Sequence, residues 1–411
     1  MLRDFSPGIV RVFSNITPIL IFFIFAQIVG VEELGLINYF ISLIAIIGVF
    51  TDFGLPEAIQ RFLPQVKHKT QLITYTIKLE LLIVFLAAFT FLILDLIMQQ
   101  TLSKGFLLIL LLAFIFSASN TIILIFNGLR NHKKVTQYFA VSSVLFLALT
   151  FIFYFAFKLN PVISFLTARA ISWGIYTIIP IMRLKKENLL EKSPFEAKKH
   201  GRFNKFALNT FIYTGGLTLL TQWDSILITN IDGAYTNGIY KSVAFIASIP
   251  IVLVTILHTK LLPHFSDLNS KGKIQGIKKE LSTYTKYLLL ILGLAFFLQF
   301  FIYEPALKIF LEEEIVLEAG FLFPLIFLAI CLQILASPYI SALQAIGQEK
   351  FIKNLITIQV TLFIFFSTLL YPTYGYNIFP ILLIILNLSV LTTIYFFTHN
   401  KLNGGEKTFL D

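Results

Sequence analysis

Residues 183–205 read RLKKENLLEKSPFEAKKHGRFNK, a polar and strongly basic stretch in a chain that is otherwise 57% hydrophobic and only 13% charged. Soluble domains average about 45–50% apolar and about 25% charged residues. Lys, Arg, Asp and Glu are therefore too scarce to coat a soluble protein of 411 residues. A spanning helix needs roughly 20 apolar residues, so about twelve spans account for most of the apolar content. The stretch 183–205 divides them into six and six. It reads as a solvated tether, its like-signed charge placed beside anionic lipid.

Outward from this tether, apolar runs bounded by charges or turn residues predict spans near 9–29, 36–58, 75–97, 106–127, 137–157 and 161–182. A second six follow near 207–230, 238–258, 284–303, 320–344, 355–371 and 378–398. The expected fold is all-α and polytopic: an N-terminal six-helix bundle over 1–183, a basic cytoplasmic linker over 184–205, and a C-terminal six-helix bundle over 206–411. The run at 9–29 carries Asn15, Thr17 and Pro18 with no small-residue cleavage site after it, and reads as a retained span.

The charges set the orientation. With both termini cytoplasmic, only Lys104, Lys158 and Lys308 of the 32 basic residues lie outside, and Arg169 and Lys241 fall within spans. A shift by one span would destroy this bias, so the number of spans is expected to be even, namely twelve. The net charge of +10 follows from the same rule and gives no reason to invoke nucleic acid. The single cysteine, Cys331, excludes an internal disulfide or a thiolate cluster.

An internal repeat supports two halves. Gly30 and Gly35 before the second span match Gly233 and Gly238 before the eighth at one constant offset, and Leu63-Pro64 matches Leu262-Pro263 at nearly the same offset. Six spans return the chain to its starting side, so the halves are expected to be related by an axis along the membrane normal. Pro18, Pro250, Pro324 and Pro338 fall inside predicted spans, where a lost backbone hydrogen bond predicts kinks.

Charged side chains in the bilayer are the candidate functional residues, because each costs about 2.5–3.5 kcal/mol at a helix centre unless paired or hydrated. Arg169 lies eight residues past Pro161, roughly 12 Å into a core about 30 Å thick. It fits either an anion site in a wet cavity or a structural pairing. Lys241 is shallower and fits snorkelling as well as an interior seam, a position at which the repeat offset places Asn38 in the first half. Asp224, in LLTQWDSILI at 219–228, lies within a lysine's reach of that depth and is expected to pair with Lys241 or bind a cation. At the cytoplasmic face, Asp52, Glu57, Arg61, Lys78 and Glu80 read as inner-gate or anchoring residues, with Glu57 and Arg61 paired across one helical turn. Arg11, near the start of the first span, fits either snorkelling or the cavity.

Catalytic chemistry is missing. The six histidines show no metal-ligand spacing, and no phosphate-cradling glycine loop, zinc motif or nucleophile elbow is present. No cofactor is expected and the chain does not read as an enzyme. A glycosyltransferase or polymerase would need a large catalytic outer loop, yet the longest, about 304–319, is short and mostly glutamate.

The segments VGVEELGLINYF and LIAIIGVFTDFGLPEAIQRFLPQ resemble the first two spans of bacterial polysaccharide flippases of the O-antigen type. WDSILITNIDGAYTNGIYKSVAFIASIP resembles the start of the second half in that family, and FNGLRNHKK and LQAIGQEK fit its basic turns. The resemblance implies the multidrug, oligosaccharidyl-lipid and polysaccharide exporter superfamily, with twelve helices in two bundles forming a V around a central cavity. It implies translocation of an undecaprenyl-diphosphate-linked oligosaccharide across the bacterial inner membrane through a cationic cavity, with Arg169, Lys241, Arg11 and Asn38 as candidates to line it. The expected partners are the lipid-linked oligosaccharide, membrane lipids, a coupling H+ or Na+, and the polysaccharide polymerase and chain-length proteins. A cation-coupled multidrug exporter of the same fold is the alternative; such exporters commonly place an acid in the first span, and SNITPILIFFIFAQIVG has none.

Overall fold

The computed structural model describes residues 28–64, 66–98, 104–129, 131–190, 200–251, 261, 264–269, 271–308 and 311–403. The predicted span at 9–29 with Arg11 and Pro18, the pair Leu262-Pro263, and the middle of the basic linker lie almost wholly outside them. The described residues are helical and include no strand. Eight of their stretches are helices long and apolar enough to cross a membrane. Contacts gather the chain into two compact units, residues up to Asn230 and residues from Ile231.

The first unit contains α1 (Val31–Asp52), α2 (Leu55–Phe62), α3 (Lys69–Met98), α4 (Lys104–Gly128), α5 (His132–Phe151) and α6 (Pro161–Lys186). It also takes the first part of α7 (Gly201–Ala247). Helix α4 is its hub, packing against α1, α2 and α6. Asn160 caps α6, its Oδ1 accepting from the Val162 N–H at 2.9 Å, and Pro161 fills the first position where no N–H is needed. The 47-residue α7 covers the expected seventh span and the first ten residues of the expected eighth. Its helical geometry fails only at Gly233, with φ of 89° and ψ of 175°, at the place the glycine repeat marks.

The expected second span is corrected. Helix α1 stops at Asp52 because Phe53 and Gly54 both take left-handed backbone, with φ of 50° and 70°. Glu57 and Arg61 therefore belong to a separate short helix, α2. Its buried apolar face, Leu55, Ala58 and Ile59, joins a core with Ile73 of α3, Phe126 of α4 and Ala207 of α7. At Gly54 the backbones nearly touch: a Cβ would sit 2.2 Å from the Ala207 carbonyl oxygen and 2.6 Å from the Phe211 nitrogen. Phe53 then stacks on Phe211 at 4.7 Å.

The second unit contains the remainder of α7, α8 (Ile274–Lys308), α9 (Glu313–Ala319), α10 (Leu322–Ala345), α11 (Glu349–Tyr374) and α12 (Ile378–Asn403). Helices α10 and α12 form its centre, flanked by α8 and α11. Hydrocarbon solvates apolar side chains as well as a protein interior does, so packing and interhelical hydrogen bonds hold such helices together. Asn387 supplies two of them, donating to Ala329 O at 2.9 Å and accepting from Gln359 Nε2 at 2.8 Å, each worth about 0.6–1.7 kcal/mol. Cys331 is buried in α10. The outward face of α8 exposes Leu290, Leu294, Phe297 and Phe301, a run of apolar surface that lipid must cover.

Two proline expectations are corrected. Pro250 lies in a short 3-10 turn just beyond α7, and Pro324 lies in the first turn of α10, where no backbone bond is lost. Pro338 is inside α10, as expected.

An ion-pair cluster ties α5 to the end of α6: Glu187 Oε1 accepts from Lys134 Nζ at 2.8 Å and from Arg183 Nε at 2.6 Å. These hydrogen bonds, Lys134 first, hold the Glu187 carboxyl below its usual range. A lowered acid adds stability above the ordinary carboxylate range and loses it as pH falls through the folded-state value. The groups are partly exposed, so Lys134→Met should cost under about 1 kcal/mol, and less in high salt. Thermal unfolding at neutral pH should show the difference, and it should vanish in acid.

Candidate functional site

Arg169 lies eight residues past the start of the 26-residue α6 in the first unit. Its guanidinium carbon lies 4.4 Å from the Trp173 ring on the same helix and 4.6 Å from the Phe146 ring on α5. Trp173 follows one turn after Arg169, which brings both side chains to one face. Its ring leans on Phe116 of α4 at 5.0 Å, and Phe146 is buried against Phe165. Such cation–π contacts are worth about 0.5–2 kcal/mol each. Among the described residues no carboxylate pairs with Arg169.

Rings cover part of the guanidinium without neutralising it. Its N–H donors radiate in the plane, the geometry that binds a phosphate oxygen pair bidentately. Sequence depth marked Arg169. It did not reveal the rings, although the spacing to Trp173 was readable.

A polar seam joins α1 to α7 in the same unit. Asn38 Nδ2 donates to Leu34 O at 2.8 Å, and the Ser42 hydroxyl donates to Gln222 Oε1 at 2.7 Å. Asp224, two residues on, is buried and accepts from the Ser225 N–H at 2.7 Å. Lys241 belongs to the second unit and lies 5.9 Å from the Tyr240 ring.

The candidates expected at the inner gate separate into two sets. Asp52, Glu80 and the Oε2 of Glu57 are buried in the first unit. Glu80 Oε1 accepts from Ser117 Oγ and Thr121 Oγ1 of α4, both at 2.9 Å, and Asp52 Oδ1 accepts from the Gly54 N–H at 3.1 Å. Lys78 is exposed. The expected Glu57–Arg61 pair is corrected: Arg61 turns its guanidinium to the Phe206 ring of α7 at 4.4 Å, while Glu57 Oε2 has no hydrogen-bond partner. Tertiary packing of α2 on α7 overrides the one-turn spacing.

Residues 5–269 match a family model described as polysaccharide biosynthesis protein. No curated protein matches the chain. An inward-facing multidrug resistance transporter of the MATE family in the MOP superfamily is similar with a TM-score of 0.72 and 15% identity, over 95% of this chain and 94% of that one. A MOP-superfamily transporter from Pyrococcus furiosus, described as having a binding pocket of reversed polarity that suggests a different function, gives 0.68 and 16% over 98% and 94%. An outward-facing MATE-family transporter gives 0.67 and 15% over 98% and 94%. At these identities the likeness is one of fold.

Proposed function

Since the chain belongs to the polysaccharide biosynthesis protein family and has the fold of the MOP-superfamily transporters, we propose that it flips an undecaprenyl-diphosphate-linked oligosaccharide across the bacterial inner membrane for O-antigen or other surface polysaccharide assembly. The observation that carries this reading is Arg169, a cation deep in a spanning helix with no carboxylate partner among the described residues. An uncompensated charge at that depth is costly. A diphosphate headgroup supplies the missing negative charge and gains fixed donors in a medium of low dielectric.

The rest of the reaction follows from the carrier's chemistry. The headgroup needs a fixed cation, the sugar a hydrated path and the polyprenyl tail continuous lipid. Alternating access between the two leaflets meets all three needs. Lys241, Arg11 and Asn38 are the further candidates to line the path, and Asp224 the candidate for charge pairing or coupling to H+ or Na+. Both termini face the cytoplasm, where the basic residues gather. The polysaccharide polymerase and chain-length proteins are the partners that would take the product.

Deleting the gene tests this directly. Lipid-linked oligosaccharide should accumulate on the cytoplasmic leaflet, and surface polysaccharide should disappear. Unchanged polysaccharide together with hypersensitivity to cationic drugs would overturn the reading in favour of a multidrug exporter of the same fold.

A further inference from the structure

Three carboxyl groups converge inside the first unit with no basic partner among the described residues. Asp52 ends α1, Glu57 opens α2 and Glu80 lies in α3; the charges of Glu57 and Glu80 both reach Asp52. Helix α4 faces them with neutral groups only: Ser117 and Thr121 donate to Glu80, and Asn120 hydrogen bonds Asp52. Helix α7 brings Tyr213 toward Glu57. Helix α6, which packs on α1 and α4, brings no charge to Asp52. The nearest bases on the same elements turn elsewhere, Arg61 to Phe206 and Lys78 to the exposed side of α3. Glu57 Oε2 is buried and has no hydrogen-bond partner among the described residues.

Three ionised carboxylates cannot share a space of low dielectric without a counter-charge. Among the described residues no group of acids is arranged to hold a metal ion. We infer that Asp52, Glu57 and Glu80 form a proton-binding site that controls the joint between α1 and α2. With a proton held, a carboxyl O–H can donate to a neighbouring carboxylate, as in a carboxyl pair sharing one proton. When the proton leaves, repulsion acts across the left-handed turn at Phe53 and Gly54, which joins two of the three acids and is pressed against α7. The site is independent of Arg169, so its failure would leave the anion reading intact.

The test uses the full-length protein in lipid nanodiscs and sodium-free buffer, titrated by infrared spectroscopy and hydrogen exchange. Wild type should show a protonated-carboxyl band at pH 7 that disappears in alkali, with amide exchange over residues 50–62 rising in step. The triple variant Asp52→Asn, Glu57→Gln, Glu80→Gln mimics the neutral shape and should lose both the band and the pH dependence of exchange. Should that variant not fold, Ser117→Ala with Thr121→Val keeps every carboxyl and should move the midpoint of the band. No such band in wild type at pH 7, or a band unchanged in every variant that folds, overturns the proposal. So does loss of the band on adding sodium at fixed pH, which would make the occupant a sodium ion.

Discussion

Replacing Arg169 with alanine should abolish surface polysaccharide while leaving the protein inserted at normal abundance. Truncating one partner of a buried, hydrogen-bonded charge pair costs about 2–5 kcal/mol, which is roughly 30- to 4,000-fold in affinity for the anion. Insertion should survive, because the substitution removes an ion from the bilayer and leaves Phe146 and Trp173 to pack on each other. Arg169→Lys should retain part of the activity: the charge stays, but the planar fork that fits two phosphate oxygens is lost. The measurement is surface polysaccharide per cell against membrane abundance of the variant. Full polysaccharide with alanine would remove Arg169 from the mechanism.

Gly54→Ala should be the most damaging single-methyl change in the described first unit. Two effects act together. A left-handed backbone costs a residue with a Cβ roughly 1–2 kcal/mol, and φ at Gly54 is 70°. The added carbon would also meet the Ala207 carbonyl oxygen at 2.2 Å and the Phe211 nitrogen at 2.6 Å, overpacking that typically costs about 1–3 kcal/mol. Because both obstacles are backbone atoms, no trimming of an α7 side chain relieves them. Membrane abundance and thermal unfolding in detergent should both fall sharply. An alanine variant with wild-type melting would show that α2 does not rest on α7 this closely.

The boundaries of most helices were legible because hydropathy reports what lipid and packed helices both require. The break at Phe53-Gly54 was not: apolar residues run on through Leu55 and Pro56, so hydropathy sees one span where backbone handedness makes two helices. Gly233 was legible, because it recurs at a fixed distance from Gly30. Spacing alone misread Glu57 and Arg61, since it cannot know that α7 offers Phe206 to the guanidinium. It could not pair Glu80 with Ser117 and Thr121, which are brought near only by the packing of α3 on α4. Arg169 was the best-marked candidate, singled out by depth, while its aromatic neighbour Phe146 arrives from a different helix.

The burial of Cys331 within α10 has a practical corollary. The chain's one thiol is shielded where bulky maleimides do not fit, so nature has supplied a nearly silent background for site-directed labelling. A fluorophore or spin probe attached through one newly introduced surface cysteine speaks for that position alone.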